Sequence, residues 1–191
     1  MNYPNNIKKT IKNPLSHKNR GMDLEDELNL TNEYYLETNK ALIYKKPTPI
    51  GVAKVSYSKE GKVIDRAFFK EPSTLDYNGL YRGKYIEFEA KVTELKTSFP
   101  LANIHAHQIH HLKKVIEHQG ITFLIIKING LVYLLTGDHF VDYLEKNNRK
   151  SIQYDYIKEK GYLIPYGFRP ILDYLKERKK KTSQRRKDTF F

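Results

Sequence analysis

Between Thr74 and Lys91 the chain reads TLDYNGLYRGKYIEFEAK, which sets Asp76, Glu87, Glu89 and Lys91 among residues of strand character. In an extended strand alternate side chains share a face. Glu87, Glu89 and Lys91 therefore lie on one side, Phe88 and Ala90 on the other. Glu89 and Lys91 fall about 6.6 Å apart along such a strand. Asp76 stands upstream, with Asn78-Gly79 and Arg82-Gly83 between as turn material, so a hairpin brings it beside Glu89. Two carboxylates held that close repel each other unless a cation lies between them. Hard oxygen ligands, with a substrate phosphate completing the shell, suit Mg²⁺ or Mn²⁺. An ammonium two residues on can stabilise charge that builds on phosphorus. The competing reading is an edge strand whose charges pair in solvent. Glu-x-Lys alone decides nothing, because it also starts at Glu60, Glu94 and Glu177. The apolar strand around Glu89 and the acid one hairpin upstream set it apart.

The stretch Ile104–His118 has helical periodicity. With Leu112 at zero on the helical wheel, Ile116, Ile109, Val115 and Ile104 span one arc, and Gln108 (about −40°) and His105 (about +20°) fall inside it. A buried glutamine must find hydrogen-bond partners. A carboxylate or a cation's water on the sheet beneath would serve, and so would backbone. His107 and His111 are spaced for zinc, but His107 and His110 point away from the arc and the chain has no cysteine. A solvated face is the expectation for these histidines.

The surrounding elements must hold these groups in place. A helix is expected over 23–38, with acids in its first turn. Strands are expected at 41–46, 50–57, 62–70, 74–81 (with a turn or bulge at Asn78-Gly79), 83–93, 121–128 and 131–137. ITFLIIKI, apolar on both faces, belongs at the sheet centre. Asp138 is expected to cap a helix running to about Asn147, and 164–175 reads as a loop followed by a final helix. The order of elements predicts an α/β fold, a mixed central β-sheet with flanking helices.

Apolar residues make up 39% of the 191-residue chain, enough for one core. With no cysteine, disulfides, thiolate metal sites and cysteine nucleophiles are excluded. No apolar run reaches the roughly 20 residues of a membrane span, and no leader pattern opens the chain. A soluble cytoplasmic protein with no membrane partner is the expectation. The net charge of +12 is uneven. Lys8, Lys9, Lys12, Lys18 and Arg20 stand in 1–20 without an acid, and 176–191 holds eight basic residues against Glu177 and Asp188. The middle is nearly neutral. Basic ends point to a polyanion, nucleic acid first.

Asp76 followed by Glu89-Ala90-Lys91 resembles the metal site of the PD-(D/E)xK nuclease superfamily. Its usual proline before the aspartate is Leu75 here, a position that ligates nothing. More specifically, Asn19-Arg20-Gly21-Met22, Lys46-Pro47-Thr48-Pro49, FKEPSTLDYNGLYRGKYIEFEAK (69–91), Lys96-Thr97-Ser98-Phe99-Pro100 and Pro165-Tyr166-Gly167-Phe168-Arg169-Pro170 resemble the RecU family of Holliday junction resolvases, over about residues 19–175.

The resemblance implies a restriction-endonuclease-like fold with a projecting two-stranded β stalk at about 47–72. A basic arm (1–21) and a basic tail (176–191) flank a nuclease domain at 22–175. It implies a homodimeric, Mg²⁺-dependent endonuclease, with Mn²⁺ a possible substitute, that resolves four-way DNA junctions by paired nicks in recombination and repair. Thr74, Asp76, Glu89 and Gln108 match the family's metal-site residues, and Lys91 its transition-state stabiliser. Other branched DNA and recombination proteins are further possible partners. Arg20 and the stalk residues Lys54, Lys59, Lys62, Arg66 and Phe69 are candidate DNA contacts, with Phe68 or Phe69 able to stack on a base or to pack within the stalk. Two rivals remain open: a junction-binding architectural protein with a structural acid cluster, and another nuclease of the superfamily acting on linear duplex.

Overall fold

A computed structural model describes residues 23–59, 61–70 and 74–176. The N-terminal arm, Arg20 included, and the tail from Glu177 lie outside the described residues.

Helix α1 (Leu24–Glu37) starts where expected. Asp23 caps it, its carboxylate accepting from Asp26 N at 2.9 Å, and Glu25, Asp26 and Glu27 occupy the positive end of the helix dipole. The strands are β1 (Leu42–Lys45), β2 (Ile50–Ser58), β3 (Gly61–Phe69), β4 (Tyr77–Tyr81) and β5 (Lys84–Thr93). Then come β6 (Ser98–Pro100), helix α2 (Ala106–Glu117), β7 (Ile121–Ile128) and β8 (Leu131–Thr136). Helix α3 (Gly137–Lys146), β9 (Ser151–Gln153), α4 (Tyr154–Lys160) and β10 (Tyr162–Ile164) complete the order.

Six strands form one mixed sheet in the order β1-β4-β5-β7-β8-β10. Within it β5 and β7 run parallel, because α2 crosses between them, and the other neighbours are antiparallel. β7 is central and covered on both faces, as its apolar sequence requires. Phe123 and Ile125 join Leu24, Leu28 and Tyr35 of α1 in one core. Leu124, Ile126 and Ile128 join Leu112 of α2, Phe140 of α3 and Ile157 of α4 in the other. Phe88 is stacked between Tyr77 (4.8 Å) and Phe123 (4.7 Å), with Tyr174 edge-on at 5.2 Å. That cluster anchors β5 on the face opposite Glu87 and Glu89.

Strands β2 and β3 pair only with each other, and every residue of β3 is exposed, so the stalk stands clear of the body. Among the described residues no helix is long and apolar enough to cross a membrane.

Three expectations fail for identifiable reasons. Asn78-Gly79 is not a turn: β4 runs through it, and the reversal is at Arg82-Gly83, both at positive φ (49° and 77°). Gly79 serves a close approach instead, since a Cβ there would lie 1.9 Å from the Leu42 carbonyl oxygen. Thr136 rather than Asp138 caps α3, its hydroxyl accepting from His139 N at 3.3 Å. The final helix is absent. Leu172 N donates to Thr31 Oγ1 and Leu175 N to Tyr35 Oη, each at 3.1 Å, so hydrogen bonds to α1 take the place of helical ones. The expected list of elements also lacked β6, β9, α4 and β10. Those strands span three residues each, too short to show a period.

Candidate active site

The register Tyr77↔Phe88 places Asp76 across from Glu89, and Asp76 N donates to Glu89 Oε2 at 3.1 Å. Lys91 Nζ lies 2.5 Å from Glu89 Oε1 and 3.6 Å from Asp76 Oδ2. The two carboxylates therefore converge on one positive centre. Glu89 is fully buried, whereas the Lys91 and Asp76 side chains are 30% and 29% exposed, which opens the cluster to solvent on one side. Burial pushes the Glu89 carboxyl up to about 7, Asp76 pushes the same way, and Lys91 opposes. Burial alone would lower the Lys91 ammonium, but the two carboxylates outweigh it and hold it raised. Lys91 is therefore charged at neutral pH.

Glu87 shares this face and is also fully buried. Its Oε1 accepts from Lys46 Nζ and from Leu75 N (3.2 Å). Its Oε2 accepts from Tyr85 Oη (2.8 Å) and meets His111 Nε2 at 2.7 Å. Burial works to raise this carboxyl, but the hydrogen bonds from Lys46, His111 and Tyr85 outweigh it and hold it lowered. Thr74 Oγ1 accepts from the same Lys46 ammonium at 2.7 Å.

Gln108 is buried on α2 as its wheel position requires, and its Oε1 accepts from His105 N at 3.0 Å. Backbone thus satisfies the amide oxygen. His105 is exposed, against expectation, because as the N-cap it has extended φ/ψ (−71°, 151°) and the helical wheel does not extend to it. His107 is half-buried rather than solvated: its Nε2 is buried without a hydrogen-bond partner and its ring stacks on His105 at 5.4 Å. The sequence pattern puts Glu87 on this face without a role and gives none to Lys46 or Tyr85, while His111, expected on a solvated face, is instead part-buried against Glu87. Tyr85, at i−2 from Glu87, could have been found from strand alternation. Lys46 could not, because its approach depends on β1 lying beside β4.

The donor set fits a small hard divalent cation. Two carboxylates face each other, and Glu89 Oε1 accepts no well-aligned hydrogen bond, only the ion pair with Lys91. Among the described residues no three His, Cys, Asp or Glu side chains converge. A cation here would hold two protein carboxylates and take the rest of its shell from water and substrate. Thr74 and Gln108 already have their oxygens engaged by Lys46 and His105, so they fit as outer supports better than as direct ligands.

The candidate DNA contacts are placed on the stalk. Lys54 is exposed and 3.8 Å from Asp65, Lys62 lies over the Tyr57 ring at 5.7 Å, and Lys59 and Arg66 are exposed. Phe68 leans across Gly51, whereas Phe69 is 81% exposed. The option that both rings pack between the stalk strands does not hold.

The sequence profile of RecU, described as recombination protein U, matches residues 19–180. A Holliday junction resolvase RecU of Oceanobacillus iheyensis is 49% identical over 188 residues, covering 92% of this chain and 96% of that protein. Proteins of the same name from Bacillus cereus and Bacillus anthracis are 51% identical over 167 residues, 84% of each chain. The hairpin register, the shared acidic face and these relatives agree: the chain belongs to the RecU family.

Proposed function

We propose that this protein is a divalent-cation-dependent endonuclease that resolves Holliday junctions, the activity its relatives are named for. The observation that carries the reading is the convergence of Asp76, Glu89 and Lys91 on one half-open point. Asp76 and Glu89 would hold Mg²⁺, with Mn²⁺ a chemical substitute. Bound there, the ion would polarise the scissile phosphate and acidify an attacking water. The protein's own part is to hold the two carboxylates in register through the β4–β5 hairpin, with Phe88 locking β5 from behind. Lys91, charged and solvent-accessible, stabilises the negative charge that develops on phosphorus. Lys54, Lys59, Lys62 and Arg66 on the stalk contact phosphates, and Phe69 stacks on a base.

Paired nicks in a two-fold junction call for two active sites related by an axis, hence a homodimer. The face that carries Glu87 continues outward as Leu42, Tyr44, Leu80 and Tyr85, each 40% exposed or more. A second copy of the chain is the occupant this face suits. The setting is cytoplasmic recombination and repair.

The test is cleavage of a labelled four-way junction by the full chain, with Mg²⁺ and with chelator. Cutting in Mg²⁺ alone, lost in both Asp76→Ala and Glu89→Ala while both still shift the junction in a gel with Ca²⁺, supports the reading. Undiminished cutting by both variants, or cutting in chelator, overturns it. Equal cutting of linear duplex would point to a different nuclease of the superfamily.

A further inference from the structure

The segment that carries Thr74 and Asp76 belongs to no helix or strand, so contacts from outside must fix it. Four are present. Lys46 Nζ donates to Thr74 Oγ1 at 2.7 Å, and Lys46 N donates to the Asp76 carbonyl at 2.8 Å. Leu75 N donates to Glu87 Oε1 at 3.2 Å, and Asp76 N donates to Glu89 Oε2 at 3.1 Å. Glu87 makes one of these directly and holds the Lys46 ammonium that makes another. An ionised carboxylate only accepts and has about four lone-pair positions. Glu87 meets four donors, contributed by the residue after β1, the Thr74–Asp76 segment, β5 and α2. Because the carboxylate cannot donate, His111 must carry its proton on Nε2.

A buried, fully partnered carboxylate is not a cheap way to stabilise a sheet; well-packed apolar residues of similar volume do as well or better. Its position is better explained by what it aligns. We propose that Glu87 is a positioning residue: its carboxylate clamps the Thr74–Asp76 segment against β5, so that Asp76 is held opposite Glu89 with both carboxylates reaching the same Lys91 ammonium. Glu87 takes no part in the reaction and binds no ion. It acts through the Leu75 amide and the Lys46 ammonium, as an outer-shell partner orients a ligating group. This inference rests on the cation site described under Proposed function.

The test uses Glu87→Gln and Glu87→Asp in the full chain, read by thermal melting against divalent-cation concentration and by the Mg²⁺ dependence of junction cleavage. Glutamine keeps the volume but turns an NH₂ towards two of the four donors. Glu87→Gln should need about 10–100-fold more cation for half-maximal stabilisation and half-maximal cutting, the usual cost of losing an outer-shell partner. Its junction affinity in Ca²⁺ should match wild type. Glu87→Asp, which keeps the carboxylate, should recover part of the loss. A folded Glu87→Gln that takes up the cation at the wild-type concentration overturns the proposal and leaves a purely structural role. Should that variant fail to fold, Tyr85→Phe carries the test, since it keeps the ring and removes only the hydroxyl that donates to Glu87 Oε2. A shift in the same direction is expected, and an unchanged cation requirement overturns the proposal. Should wild type itself show neither cation-dependent melting nor cutting, the cation site fails and not the clamp alone.

Discussion

Replacing Lys91 with methionine separates the two roles its position allows. The side chain's length is kept, and the positive charge between Glu89 (2.5 Å) and Asp76 (3.6 Å) is removed. Breaking a buried ion pair by deleting one partner costs about 3–5 kcal/mol. Here Glu89 is fully buried, but Lys91 and Asp76 are 30% and 29% exposed, so solvent screens part of the loss. A figure of about 2–3 kcal/mol is reasonable for the cation-free protein. For a chain of this size each kcal/mol moves Tm by about 2–4 °C, so the cation-free variant should melt roughly 4–12 °C below wild type. A divalent ion between Asp76 and Glu89 would restore the missing positive charge. The rise in Tm on adding saturating Mg²⁺ should therefore be larger in Lys91→Met than in wild type. Junction cutting should nonetheless fall by about 10²–10³-fold, because a group aimed at the developing phosphorus charge is gone. Melting curves with and without Mg²⁺, paired with cleavage rates, check all three. An equally stable variant with an unchanged response to Mg²⁺ would refute the claim that Lys91 and a cation answer to the same two carboxylates.

Gly79→Ala should destabilise the protein by about 1–3 kcal/mol or more in urea melts, because the new Cβ would meet the Leu42 carbonyl oxygen at 1.9 Å and the edge strand must move. Alkali should weaken the fold. Burial holds the Tyr35 and Tyr174 hydroxyls far above their usual value, and burial with Tyr154 alongside pushes Tyr133 up to about 12. The unfolded chain releases these protons from about pH 10, so stability is full below that pH and falls as pH rises towards 12 and beyond. Melting temperature with tyrosinate absorbance across that range checks it; a flat Tm would contradict it. Removing charge from the stalk (Lys54, Lys59, Lys62 and Arg66 to Ala) should weaken junction binding and shallow its dependence on salt, measured as gel-shift affinity at several salt concentrations. An unchanged salt slope would take the stalk out of the interface.

The parts of the fold legible in the sequence are those with a long period or a local signal. β7 showed its centrality through a run apolar on both faces, α1 through the acids of its first turn, and the β4–β5 hairpin through strand alternation, which set Asp76 beside Glu89. Where distant groups replace local hydrogen bonds, the pattern misleads. Residues 171–175 carry a helical look but give backbone donors to Thr31 and Tyr35 of α1. Gly79 looks like turn chemistry and serves strand contact. The clamp around Glu87 was invisible because its donors lie as far as 41 residues away in sequence, brought together only by the sheet order. Gln108 was legible as buried, but its partner, the His105 amide, depended on where α2 begins.

The proposed chemistry requires Asp76 and Glu89 to grip one divalent ion. A Mn²⁺ titration of the full chain without DNA, followed by electron paramagnetic resonance, tests this without requiring any cutting. Wild type should take up Mn²⁺ at a site that both Asp76→Asn and Glu89→Gln lose. Uptake by both variants at the wild-type level and affinity would contradict it.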